Sequence, residues 1–295
     1  MSLWYDLEFS ATILLIPASL VSNSTGKEAS FWQQSNNLAN RSMTHRLLRF
    51  LRARAFQFCA KASALAQEPR LLAAWRHGWD NDHYRRLLHW RDEGFRPSVV
   101  YDIGAHAGGW AEMCQAIYQP KTCYLFEPQN EYLEQARKRQ PRGANWILLP
   151  IALGEVEHEE TLRLTKDPAA SSLLPPLPND GLKAGTAEIG REQVRVLPLD
   201  ELGRRDKLPL PDLVKIDVQG FEAKVIAGGI STLRGAQRIV VEASLNPIYR
   251  DQPLLPEVLF KLTQCGFRLT DISDACRSWP GDELWQVDLW FKRLL

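Results

Sequence analysis

Three apolar runs of this chain each deliver a carboxylate to a turn. Val99-Val100-Tyr101 leads into Asp102, two residues before Gly104. Cys123-Tyr124-Leu125-Phe126 leads into Glu127, and Leu213-Val214-Lys215-Ile216 leads into Asp217, three residues before Gly220. Short runs of this kind suit strands buried on both faces, so their acids emerge together at one edge of a sheet. Carboxylates gathered there can accept the hydroxyls of a ribose, hold an ammonium, or take a proton from a substrate. Glu127, 23 residues beyond Gly104, is placed for the ribose. Asp217 is placed to hold the ammonium, orient the substrate or accept its proton, unless it merely caps the next helix.

The glycine turn narrows the ligand. Gly104 and Gly108 let the backbone turn tightly and approach a ligand without a Cβ in the way, and the residues beyond can start a helix whose free N–H groups face it. Dinucleotide sites favour G-x-G-x-x-G, whose middle glycine seats a pyrophosphate; His106 stands there instead. Asp102, just before the turn, would also repel a diphosphate. A cationic sulfonium cofactor with an amino-acid tail meets neither objection. The spacing therefore favours S-adenosyl-L-methionine over NAD, with an NAD-type oxidoreductase as the alternative. Pro150-Ile151-Ala152-Leu153-Gly154 suits an adenine pocket. Glu222, just beyond Gly220, and Glu242, closing the run Ile239-Val240-Val241, join Asp217 as candidates for the acid–base chemistry. These three acids could also supply oxygen ligands to a divalent cation, although spacing in sequence establishes no shared centre.

Positioning such residues requires alternating elements. The pattern predicts strand 99–103, helix 108–118, strand 122–126, helix 130–140, strand 145–149 and an irregular insert to about 192. Strands 194–198 and 212–217, helix 221–233, strand 238–243, helix 254–265 and strands 267–272 and 285–292 follow. Alternation implies an α/β fold with a mainly parallel sheet covered by helices on both faces. The last two strands, with no helix between them, read as an antiparallel edge hairpin. Residues 1–42 read as an irregular extension, 43–96 as a basic helical segment and 97–295 as the domain that carries the site. Leu47, Leu48, Leu51, Ala55, Phe58 and Cys59 recur at helical spacing among Arg46, Arg49, Arg52 and Arg54. Such a basic amphipathic stretch, 44–60, can rest on an anionic membrane or pack on its own domain. Trp75, Trp79, Tyr84 and Trp90 are expected in a helical core rather than lining a cap.

Hydrophobic residues make up 45% of the 295 positions and the formal net charge is +1, which supports a sizeable core and carries no global nucleic-acid signature. The basic excess is local: twelve Lys/Arg against five Asp/Glu between Arg41 and Arg96. It lacks a recognised binding motif, so no nucleic-acid partner is expected. Five cysteines without a C-x-x-C pair point to reduced thiols in a cytoplasmic protein. The apolar run 11–21 is too short to span a bilayer and contains Pro17, and Asp6 and Glu8 argue against a secretory leader.

The runs D-I-G-A-H-A-G-G-W, F-E-P, I-A-L-G, S-S-L-L, L-P-L-D-E-L, V-K-I-D-V-Q-G-F-E and V-E-A-S-L-N-P-I-Y, in this order between Val99 and Phe291, resemble those of the FkbM-type S-adenosylmethionine-dependent methyltransferases. The resemblance implies a class I methyltransferase (Rossmann-like) fold with a seven-stranded sheet. It also implies methyl transfer to a hydroxyl of a sugar, glycan or other small natural product. Carried over residue by residue, it assigns cofactor binding to Asp102, Gly104, Ala105, His106, Gly108, Glu127, Pro128, Ala152 and Asp217. The family usually has Asn where this chain has His106. The helices before Val99 fall outside the resemblance, leaving a homo-oligomer contact or a membrane- or partner-binding module with a vestigial fold as further readings.

Overall fold

The computed structural model describes residues 70–177, 185–277 and 283–294. In chain order its helices and strands are α1 (Leu71–His77), α2 (Asn81–Asp92), β1 (Val99–Ile103), α3 (Gly109–Tyr118), β2 (Thr122–Phe126), α4 (Asn130–Arg139), β3 (Trp146–Leu149), β4 (Ala152–Leu153), β5 (His158–Thr165) and β6 (Glu188–Leu197). They continue with α5 (Leu199–Arg205), β7 (Leu213–Ile216), α6 (Glu222–Gly228), α7 (Ile230–Leu233), β8 (Arg238–Ser244), α8 (Leu255–Gln264), β9 (Phe267–Arg277) and β10 (Leu284–Arg293). Seven strands form one sheet in the order β3-β2-β1-β7-β8-β10-β9. The strands from β3 to β8 are parallel, and β10 pairs antiparallel with both β8 and β9. This is the class I methyltransferase arrangement with its antiparallel edge. The chain winds outward from β1 to β3, then resumes at β7 on the other side of β1. Ligands of open α/β sheets bind at the carboxyl ends of the strands where the order reverses in this way.

The two faces of the sheet differ in chemistry. On one, Tyr101, Ile103, Val214, Ile216, Ile239 and Val241 pack against Leu199, Val225, Ile226, Val258 and Leu262 from α5, α6 and α8. Each such side chain contributes about 1.5–3 kcal/mol on full burial. A one-residue register slip would turn them out of that layer, so this face fixes the strand pairing. The other face carries polar groups in register: Asp102 beside Lys215 and Glu242 beside Asp288. Above it, α2 and α3 contribute buried Leu87, Leu88, Trp90, Trp110 and Cys114. His83 Nε2 bonds Asp288 Oδ2 at 2.6 Å, and Trp110 Nε1 donates to His83 Nδ1 at 3.1 Å. An indole N–H can only donate, so Nδ1 accepts and the ring proton sits on Nε2, pointing to Asp288. Trp79, Tyr84 and Trp90 are buried, and Trp75 is half-buried.

The insert is more regular than its sequence suggests. β5 and β6 form an antiparallel hairpin and, with β4, a second sheet in the order β4-β6-β5. The first half of β5 is polar on both faces, which hides its alternation, and β6 joins this small sheet rather than the large one. The helix expected over 221–233 is two helices, because the backbone leaves the helical region at Gly229. Residues 1–69, including the extension and the basic amphipathic stretch 44–60, lie outside the described residues. Among those described, no helix is long and apolar enough to cross a membrane.

Candidate active site

The carboxyl ends of β1, β2, β3 and β7 open on a cavity of about 310 Å³. Its walls come from the turn after β1 (Gly104, Ala105, His106), from Glu127 and Pro128 after β2, from Ile151 and Ala152 after β3, and from Lys215, Asp217, Val218 and Gln219 around the end of β7. A strap from the insert, Pro168 to Leu173, contributes Pro168, Ala169, Ser171, Ser172 and Leu173.

Backbone contact between the β1 and β7 turns fixes this wall. Gly104 has φ 78°, and a Cβ there would lie 1.8 Å from the Asp217 carbonyl oxygen; only glycine fits. The Asp217 amide donates to Ile103 O at 3.0 Å, locking the two turns together. The Gly104 and Ala105 amides both donate to Phe126 O, at 2.9 and 3.1 Å. The next amide, His106 N, donates to Glu127 Oε2 at 3.0 Å, while Gln129 N donates to Glu127 Oε1 at 2.9 Å. Glu127 is thereby aimed by two backbone amides, and each oxygen keeps a lone pair for a ligand hydroxyl. Burial pushes its carboxyl upward against these two donors. His106 adopts a left-handed φ of 45°. Its ring lies 4.0 Å from that of Tyr132, centroid to centroid. His106 Nε2 is shielded from solvent and has no hydrogen-bond partner.

At the β7 end the charges are mixed. Lys215 Nζ donates to Asp217 Oδ2 at 2.8 Å, and Gln219 Nε2 donates to Asp217 Oδ1 at 2.9 Å and Glu242 Oε2 at 3.0 Å. Burial alone would raise the Asp217 carboxyl, but the Lys215 ammonium outweighs it and holds Asp217 below the usual carboxylate range. Burial works against the Lys215 charge, yet Asp217 and Asp102 keep it protonated. Asp102 is fully buried, and neither of its oxygens meets a donor at hydrogen-bond geometry. Its burial raises it to about 6, opposed chiefly by Lys215 and only weakly by the nearby Ala111 amide. Glu242 is pushed well up by burial, with Asp217 and Asp288 adding to the effect.

Of the residues nominated from sequence, Gly104, Ala105, His106, Glu127, Pro128, Ala152 and Asp217 line the cavity. The others stand apart from it. Asp102 lies beneath the floor beside Lys215. Gly108 serves packing: a Cβ there would come 3.0 Å from both Ala136 Cβ and Trp146 Cζ3. The Oε1 atom of Glu222 accepts the amides of Gly220 and Val218, at 3.0 and 3.2 Å, and so braces the turn. Glu242 does not line the cavity, and its Oε2 accepts from Gln219 Nε2 and Gln286 Nε2, both at 3.0 Å. Among the described residues no group of three or more His, Cys, Asp or Glu could hold a metal ion. Lys215 escaped the sequence reading, although it sits two residues before Asp217 and so shares its face. The residues between Glu155 and Arg191 are expected from sequence to form a loop near the pocket mouth, and the strap lies in that segment. Its anchors, distant in sequence, were not legible: Ser172 Oγ donates to Gln219 O at 2.6 Å and Tyr249 Oη to Ala170 O at 2.7 Å.

Comparison with known proteins gives the following. A family model described as the methyltransferase FkbM domain matches residues 102–269. The hexuronic acid methyltransferase AglP of Haloferax volcanii is 23% identical over 166 residues, covering 55% of this chain. The match spans 62% of that relative, less than two thirds of its length. Among solved structures, an FkbM methyltransferase from Methylobacillus flagellatus aligns with 14% identity and a TM-score of 0.43, over 66% of this chain and 43% of that one. Magnesium protoporphyrin IX methyltransferase from Synechocystis aligns with 12% identity and a TM-score of 0.42, over 72% of this chain and 79% of that one.

Proposed function

The chain belongs to the methyltransferase FkbM domain family, and from that membership we propose that its cavity takes S-adenosyl-L-methionine and that the enzyme methylates a hydroxyl of a sugar, glycan or other small natural product. The observation that carries the proposal is the order of environments along the sheet edge. Apolar Ile151 and Ala152 suit an adenine, the amide-aimed Glu127 suits ribose hydroxyls, and the Asp217–Lys215 pair suits a zwitterionic amino-acid tail. His106 Nε2, shielded and without a partner, gives the cavity a polar atom that a bound ligand would satisfy.

When bound, the cofactor supplies an electrophilic methyl group on a positively charged sulfur. The protein's part is to hold and orient, and alignment alone can supply effective molarities of about 10⁵–10⁸ M. Asp217 is positioned at the cavity but holds its proton weakly, and both its oxygens are already engaged. It therefore orients the acceptor or the ammonium rather than serving as a strong base. Glu242 has the proton affinity of a base but stands behind Gln219. The relative that acts on a hexuronic acid supports a saccharide acceptor, and a homo-oligomer contact or membrane docking remains outside this proposal.

Calorimetry with S-adenosylhomocysteine, NADH and buffer alone tests the donor. Binding of the first and not the second is expected, and the reverse would remove the proposal. Transfer of labelled methyl from S-adenosylmethionine to a panel of uronic acids and neutral glycosides then tests the acceptor. Asp217→Asn should depress that transfer at least tenfold, whereas full turnover with donor affinity intact would take Asp217 out of the orienting role.

A further inference from the structure

We infer that His106 is the residue by which this site tells its charged donor from the spent, neutral product: with a neutral ring it accepts the sulfonium, and with a protonated ring it rejects the sulfonium but not S-adenosylhomocysteine. The inference rests on the donor proposed above.

Four observations place the ring for this task. It lines a cavity of only about 310 Å³, so a ligand that fills the space must come close to it. Its backbone is held in a left-handed turn at φ 45°, and its amide is tied to Glu127. The Tyr132 ring lies against that of His106, centroids 4.0 Å apart and planes tilted by 33°, which restricts its orientation. Nε2 is shielded and unpartnered, so among the described residues no carboxylate forms a hydrogen bond to a proton placed there. Burial, the first cause, lowers the affinity of the ring for that proton. Among the groups around it, Asp217 and Asp167 favour the charged ring, and Lys215 and Arg139 disfavour it. Glu127 meets only the backbone amide. The ring is thus neutral near pH 8 and takes a proton below the ordinary histidine range.

Two ligands of nearly the same shape read this out. S-adenosylmethionine and S-adenosylhomocysteine differ by one methyl group and one positive charge at sulfur. Two like unit charges enclosed in a cavity of this size repel enough to cost at least about tenfold in affinity. Calorimetric titrations of both ligands from about pH 8 down to about pH 4.5 should show the methionine form losing affinity relative to the homocysteine form below the ordinary histidine range, by up to about tenfold per pH unit. In His106→Asn the ratio should stay constant across the same range. Asparagine is among the few side chains that tolerate a left-handed φ, so the turn is retained, and His106→Gln provides a second uncharged variant.

The carboxyls Glu127 and Asp217, which line the cavity, and Asp102 beneath its floor also lose charge on acidification. If they caused the effect, it would persist in both variants, and the inference would be overturned. A constant ratio in the wild type, or a parallel loss of both ligands, would overturn it as well. If neither ligand bound at any pH, the donor proposal itself would fall, which is a distinct outcome.

Discussion

Gly104→Ala is the most direct perturbation of the site, and its cost can be worked from the geometry. The added Cβ would stand 1.8 Å from Asp217 O, 2.8 Å from Asp217 C and 3.3 Å from Val218 Cγ1. Backbone cannot swing aside as a side chain can, so the β1 and β7 turns must separate by more than an ångström. A left-handed alanine costs about 1–2 kcal/mol. Forcing the packed turns apart adds about 1–3 kcal/mol, and losing the Asp217 amide bond to Ile103 O adds about 1 kcal/mol. The sum, about 3–6 kcal/mol, should lower Tm by on the order of 10 °C for a domain of this size. Since both turns line the cavity, S-adenosylhomocysteine affinity should fall at least tenfold. Gly94→Ala is the matched control, because Gly94 also has a positive φ of 94° but nothing lies within 4 Å of its Cβ position. It should cost only the backbone contribution and leave ligand binding unchanged. If Gly104→Ala melted like Gly94→Ala and bound ligand like the wild type, the claim that the turns are held in contact would be wrong.

Glu222→Gln should stabilise the protein, and only at higher pH. Burial raises Glu222 from 4.5 to about 7, so between those values the unfolded chain releases a proton that the folded one keeps, and stability falls as pH rises. Glutamine keeps an Oε1 acceptor for the Gly220 and Val218 amides without the charge, so a gain of about 1–3 kcal/mol is expected in urea denaturation near pH 8, with no gain near pH 4. Lys215→Met should do the opposite, since it leaves Asp102 and Asp217 buried without their cation; a loss of about 3–5 kcal/mol is expected by the same assay, and an unchanged midpoint would show that the carboxyls do not depend on Lys215. Adenosine diphosphate should displace S-adenosylhomocysteine no better than adenosine does, and a tenfold advantage for the diphosphate in competition calorimetry would contradict the account of the β1 turn given below.

The large sheet was legible because its strands are apolar and its acids stand at their ends. Val99–Ile103 and Leu213–Ile216 announce themselves by composition, and the hairpin at the edge follows from the absence of a helix between Phe267–Ile272 and Trp285–Phe291. The cavity wall after β1 and β2 was legible for the same reason, since Gly104 and Glu127 lie at strand ends. Depth was not legible. Asp102 and Gly108 belong to the same short motif as Gly104 and Ala105, yet one is sealed under the floor and the other packs against Ala136 and Trp146. Motif membership says which turn a residue belongs to, whereas the direction of each side chain depends on neighbours brought in from α4 and β3. β5 and the strap depend still more on distant partners. His158-Glu159-Glu160 reads as loop because both faces of that stretch are polar, and the Ser172 and Tyr249 anchors have no local signature.

Taken as isolated charges, the rim carboxylates repel the phosphates of a dinucleotide. With Lys215 paired to Asp217 inside the cavity, that end is close to neutral, and simple charge repulsion weakens. The backbone supplies the stronger reason. A phosphate cradle needs free N–H groups turned toward the anion, and here three consecutive amides of the turn are spent inside the protein: Gly104 and Ala105 on Phe126 O, His106 on Glu127. The third of these bonds is the one that aims Glu127. The same donation that withholds an amide from a phosphate therefore orients the Glu127 carboxylate, which in the proposed function meets the ribose of the cofactor, so the turn is built to hold that carboxylate rather than a phosphate.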